Sequence, residues 1–140
     1  MSGGCPSQFT ASALTSIISD GTLDARIEQL KQIYSQRAKA YAAAIEKYWV
    51  PYGAKYNRCV GGYFLWISLP EGITSTDLSK QALADDVWIM EGTSCMVPDD
   101  TGVDYEKFIR ICIAFENEDR AIEGIKRIGK IFDRHPSMRK

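Results

Sequence analysis

The run Phe108-Ile109-Arg110-Ile111-Cys112-Ile113-Ala114-Phe115 carries a single charge among aromatic, β-branched and other apolar residues. Such a run reads as a buried strand. A guanidinium keeps its proton at any ordinary pH, so Arg110 needs an anion or several carbonyls around it wherever it lies. From the residues alone, the structural solution is an ion pair at the sheet edge with Glu91, Asp99 or Asp104.

The rest of the chain alternates helical and strand patterns. Phe9, Leu14, Ile17 and Ile18 outline a short helix that Asp20-Gly21 ends. From Leu23 to about Trp49, Ile27, Leu30, Tyr34, Tyr41, Ile45 and Tyr48 recur every three or four places, predicting a long helix with one stripe toward a core. Pro51 and Gly53 stop it. Tyr56–Val60 predicts a short strand, Gly61-Gly62 a break, and Tyr63–Leu69 a second strand closed by the turn Pro70-Glu71-Gly72. Ser75 is expected to cap a helix through Ala84, with Leu78, Ala82 and Leu83 inward, ahead of a strand at Val87–Met90. Asn117 opens a last helix with Glu118 and Asp119 in its first turn and Ala121, Ile125, Ile128 and Phe132 on one side. Arg134 and His135 suit its end. The expected fold is α+β: a small, mainly antiparallel sheet packed with helices, one domain over 1–140 with an entry helix in 1–22 and the body in 23–140.

Composition narrows the function classes. The 140 residues suit one domain with a core of its own. A net charge of -1 gives no field to draw in nucleic acid or an anionic membrane. No apolar stretch approaches the roughly 20 residues of a membrane span, and the first residues lack a secretory signal, so the cytoplasm is the expected location. Cys5, Cys59, Cys95 and Cys112 are scattered without a CxxC pair, and His135 is the only histidine. Four mostly buried thiols are expected rather than a metal site. A hydrolytic triad would have to use His135 at a helix end beside Pro136, a poor place for orientation. Gly124 and Gly129-Lys130 fall within a helical pattern and are expected to allow close helix packing. The pairs Asp85-Asp86 and Asp99-Asp100 lack the spaced oxygens of a calcium loop.

Four segments share a further pattern. Gly61–Pro70, Val87–Cys95, Phe108–Phe115 and Ala121–Ile128, in this order and spacing, resemble the C-terminal part of class I/II aminotransferases, pyridoxal-phosphate enzymes of fold type I. The nearest likeness is to the branch acting on aromatic amino acids, kynurenine or 2-aminoadipate. It runs from about Ser2 to Phe132, since Ser2-Gly3-Gly4 through Gly21 looks like the helix that leads from the large domain into the small one. Glu91-Gly92-Thr93-Ser94-Cys95 departs from the proline-glycine and aromatic pattern usual at that loop.

The resemblance implies that Arg110 grips a substrate α-carboxylate, and that Gly61, Gly62 and Tyr63 lie on the substrate side. A planar guanidinium makes two charge-assisted hydrogen bonds to a carboxylate and fixes its orientation. It also implies that the catalytic lysine, the aspartate for the pyridine nitrogen and the phosphate cup belong to a large domain outside this chain. Lys80 after Ser79 reads as a solvated helix lysine. No cofactor is therefore expected within the chain and its catalytic residues are unknown. Expected partners are a carboxylate-bearing small molecule and either a second copy or a separate large-domain chain. Two other readings are a repurposed enzyme that acts without pyridoxal phosphate on a carboxylated or carbonyl metabolite, and a noncatalytic module that self-associates through Phe9, Leu14 and Ile17.

Overall fold

The computed structural model describes residues 7–58, 60–96 and 102–138. It divides into two compact units, residues 1–35 and 36–140. Helix α1 (Gln8–Ser19) is capped by the Ser7 hydroxyl, and none of its residues is buried. Helix α2 (Thr22–Tyr48) begins in the first unit and ends in the second, and its apolar stripe is buried only from Tyr41 onward, through Ala44 and Ile45.

In the second unit, strands β1 (Lys55–Tyr56), β2 (Phe64–Ser68), β3 (Met90–Glu91) and β4 (Phe108–Cys112) form one antiparallel sheet in the order β1-β2-β4-β3. This is the expected α+β architecture. Along β2 the burial alternates: Leu65 and Ile67 are inside, Phe64 and Trp66 outside. Side chains of a strand point to opposite faces in turn, so one face of the sheet is covered and the other open. The covered face joins Ile109 of β4, the end of α2, Leu78 and Ala82 of helix α3 (Ser75–Ala84), and Ile125, Ile128, Ile131 and Phe132 of helix α4 (Glu118–Arg134) in one core. Trp49, fully buried, ties α2 to α4: its indole Nε1 donates to the Ile125 carbonyl at 2.7 Å and its ring meets Phe132 edge-on at 5.7 Å. Gly129 makes this approach possible, because a Cβ there would stand 2.9 Å from the Tyr48 carbonyl oxygen.

Several expected boundaries shift. The strand foreseen at Tyr56–Val60 is limited to Lys55–Tyr56. Thr74, not Ser75, caps α3, its hydroxyl accepting from the Asp77 N–H, while Ser75 is buried and Leu83 exposed. The strand foreseen at Val87–Met90 begins at Met90. The Val87 N–H is taken by the Ala82 carbonyl at 2.8 Å, so the helix terminus uses the donor a strand would need. Cys112 is exposed and Cys95 partly so, against the expectation of buried thiols; Cys5 and Cys59 lie outside the described residues.

Two contacts fix the turns that flank β4. Gly92 is buried so tightly against the backbone of Tyr105 and Phe108 that a Cβ would fall 2.6 Å from the Phe108 oxygen. The Glu106 carboxylate sits at the first turn of α3, accepting from the Thr76 hydroxyl (2.8 Å), the Thr76 N–H (3.2 Å) and the Ser75 hydroxyl (3.1 Å). These bonds hold the Glu106 carboxyl below its ordinary range, with the Thr76 hydroxyl the largest influence.

Gly92→Ala is expected to lower stability by about 1–3 kcal/mol, read by urea denaturation, because both neighbours are backbone and neither can move cheaply. Glu106→Gln should lose about 0.3–1 kcal/mol at neutral pH, the usual worth of a negative charge at a helix N-terminus. Since the folded carboxyl titrates lower than the unfolded one, this contribution is present above the unfolded value and fades as pH falls through the folded value. Wild type and Glu106→Gln should therefore converge in strongly acidic urea titrations.

Candidate functional site

The β2–β4 register decides where Arg110 goes. Trp66 lies opposite Arg110, Phe64 opposite Cys112, and Ile67 opposite the buried Ile109. Arg110 thus shares the open face with Phe64, Trp66 and Cys112. Its guanidinium carbon stands 4.2 Å from the centroid of the Phe64 ring, a cation–π contact. Beside it Trp66 stacks on Phe108 at 5.5 Å and meets Tyr105 edge-on at 6.5 Å. The expected buried strand is half-open, and Arg110 is partly exposed at the centre of an aromatic ledge.

None of the ion pairs among the described residues involves Arg110. The edge pairing with Glu91 or Asp104 is absent, Asp104 instead meeting Lys107 at 3.4 Å. Asp99, like Asp100, lies outside the described residues. What holds the arginine in place is an aromatic face, which leaves its donor edges directed at no described carboxylate.

Gly61, Gly62 and Tyr63 lead into β2 at the end of the sheet where β4 runs out. The Ile113 N–H donates to the Tyr63 carbonyl at 2.9 Å, prolonging the β2–β4 pairing by one step. Gly62 has a φ of +84°, a backbone angle that suits glycine. Tyr63 is half-exposed. These three residues therefore adjoin the C-terminal end of the arginine strand, a juxtaposition that the chain order alone does not display.

Sequence reasoning missed the residues that hold that strand end. Arg37 of α2 donates to the carbonyls of Ile113 (3.4 Å) and Ala114 (2.9 Å), and the Tyr41 hydroxyl to that of Glu116 (3.4 Å). Burial pushes the Tyr41 hydroxyl's pKa up, which keeps it protonated and donating. Glu116 in turn pairs with Arg120 at 2.8 Å.

Elsewhere, an open groove of about 430 Å³ is lined by Ala84, Asp85, Asp86, Arg127, Lys130 and Arg134. Its arginines are occupied, Arg134 by the Asp85 carboxylate at 2.7 Å and Arg127 by Glu123 and the Asp85 carbonyl, both at 3.1 Å. His135 faces the Ser137 hydroxyl at 2.7 Å, and no carboxylate among the described residues orients it as a triad would require. Among the described residues no cluster of three or more His, Cys, Asp or Glu side chains is placed to hold a metal ion. No helix among them is long and apolar enough to cross a membrane.

An antiparallel four-stranded sheet with helices over one face matches the small domain of aminotransferases. No family model matches the chain. Several of the relatives it matches are aminotransferases. The chain is 28% identical over 126 residues to aromatic-amino-acid aminotransferase 1 of Thermococcus litoralis, a match that covers 90% of this chain and 29% of that enzyme. Among solved structures it superposes on α-aminoadipate aminotransferase of Thermus thermophilus with a TM-score of 0.73 and 25% identity, covering 86% of this chain and 29% of the other. The kynurenine aminotransferase of Pyrococcus horikoshii gives 0.73 and 27%, over 84% and 28%. The chain spans less than a third of the length of the curated relatives it matches. Such partial matches are those of a C-terminal piece of a fold-type I aminotransferase.

Pyridoxal phosphate, the group this fold family implies, finds no desolvated lysine among the described residues. A lysine that forms an imine is activated by desolvation or a neighbouring cation. Of the nine lysines, Lys140 lies outside the described residues and the other eight, Lys80 included, are exposed.

Replacing Phe64 by Ala is expected to change stability by less than about 1 kcal/mol, the worth of a solvent-exposed cation–π pair. Urea denaturation checks this; a larger loss would mean that Phe64 is a core residue and the face is closed.

Proposed function

We propose that this chain is the small-domain part of an aminotransferase and that Arg110 is its clamp for a substrate carboxylate. The supporting observation is the setting of Arg110: a permanent cation on the open sheet face, backed by Phe64 at 4.2 Å, with no carboxylate partner among the described residues. A clamp needs both properties. The aromatic face immobilises the guanidinium without neutralising it, and the free donor edge offers paired hydrogen bonds to an incoming carboxylate. Gly61, Gly62 and Tyr63 border the same site and shape its entrance.

In this reading the chain binds and orients a carboxylated substrate while a large domain supplies the lysine and the cofactor, pyridoxal phosphate. Orientation is the small domain's share of the chemistry, because the bond to be broken must align with the cofactor's π system. The substrates are amino and oxo acids of the kinds its relatives handle.

A second reading, self-association, is favoured by exposed apolar groups. Phe9 is 84% exposed, Trp88 71% and Phe115 86%. Exposed apolar groups mark a surface meant to be covered where they join into one contiguous patch. A second copy of the chain would serve; so would the large domain.

Titrating the wild-type chain with 3-phenylpropionate while following tryptophan fluorescence is expected to give a saturable change from Trp66, opposite Arg110. Arg110→Ala should abolish it. Equal responses from both proteins would remove Arg110 from the site. Sedimentation at rising concentration addresses the second reading, which predicts a dimer or higher species; a strict monomer throughout excludes it.

A further inference from the structure

We propose that Arg37 and Tyr41 are positioning residues for Arg110, acting through the backbone of the strand exit; the inference rests on the clamp reading above. β4 ends at Cys112, and the next four residues leave the sheet in bends. A strand end so released is free to fray, and Arg110 lies only three residues before Ile113. Three of the exit carbonyls are nevertheless held from α2: Ile113 and Ala114 by Arg37, Glu116 by Tyr41.

The choice of groups is informative. Arg37 is partly buried and enters none of the ion pairs among the described residues. Its charge is therefore spent on backbone oxygens alone. A guanidinium is suited to this, since its donors fan out in a fixed plane and can serve neighbouring carbonyls together. Tyr41, 2% exposed, places its hydroxyl from one turn further along the same helix. Two side chains four residues apart on one helical face thus act on one segment.

The held segment also carries the lead-in to β2, because the Ile113 N–H bonds the Tyr63 carbonyl. Arg37 and Tyr41 accordingly fix the end of the sheet where the arginine strand and the Gly61–Tyr63 segment meet. A bidentate grip on a carboxylate tolerates little error in guanidinium direction. Holding the strand exit on a rigid helix removes the freedom that would blur it.

Cys112 supplies a reporter. It is exposed and shares the open face with Arg110. Iodoacetate carries a carboxylate and iodoacetamide does not, so the ratio of their alkylation rates at Cys112, mapped by peptide mass spectrometry, reads how well Arg110 guides a carboxylate, with accessibility cancelled. The wild-type ratio is expected to exceed that of 2-mercaptoethanol by about threefold or more, as local electrostatic attraction allows. Arg110→Ala should bring it down to the free-thiol value. Tyr41→Phe, which changes no charge, and Arg37→Lys, which keeps the charge but loses the fork, should each lower the preference by half or more while circular dichroism shows a native fold.

Wild-type ratios in both folded variants, with the ratio lost in Arg110→Ala, would overturn the positioning role and leave the clamp standing. A wild-type ratio in Arg110→Ala would overturn the clamp and the positioning role together.

Discussion

Everything about the arginine depends on one register, the pairing that sets Trp66 opposite Arg110 and Ile67 opposite Ile109. Strand side chains alternate between faces, so a slip of one residue would turn Arg110 into the core and Ile109 out of it. A lone guanidinium in that apolar layer would be left without a compensating charge, a state folded proteins avoid at a cost of several kcal/mol. The covered face, with Leu65, Ile67 and Ile109 inside, makes the correct register the strongly favoured one.

The helices turn that register into a rigid support. Trp49 locks the end of α2 to α4 by its indole hydrogen bond and its contact with Phe132, and Gly129 lets the two helices close to backbone distance. Because α2 is fixed there, Arg37 and Tyr41 approach the strand exit from a firm base. Gly92 and Glu106 hold the turns at the other end of β4. The arginine strand is thus secured at both ends, while the face it presents between them stays uncovered.

Most helix limits were legible because their signals are local. Asn117 caps α4 with its own side chain, the acidic pair Glu118-Asp119 follows, and the 3.6-residue recurrence of Ile125, Ile128 and Phe132 marks the buried side. The open nature of β4 was not legible, for a physical reason. The open-face neighbours of Arg110, exposed Phe64 and Trp66 and half-buried Phe108, are as apolar as the core residues beside them, so the period of two that separates an inner from an outer face is hidden. The sequence signal of a strand buried on both sides and that of a strand with an aromatic outer face are the same. The Arg37 and Tyr41 contacts were hidden too, since they join residues 75 to 77 positions apart. Lost in the same way was the start of β3, where a single hydrogen bond from Val87 back to Ala82 outweighed strand propensity.

The central claim, that Arg110 is held ready for a carboxylate instead of being neutralised by the protein, is tested most directly at the guanidinium itself. Nitrogen-15 NMR of the arginine Nε–H groups during a 3-phenylpropionate titration resolves each arginine separately. The account predicts that the Arg110 resonance moves saturably while Arg37, engaged with carbonyls, stays in place. A stationary Arg110, or one shift shared by all the arginines, would contradict it.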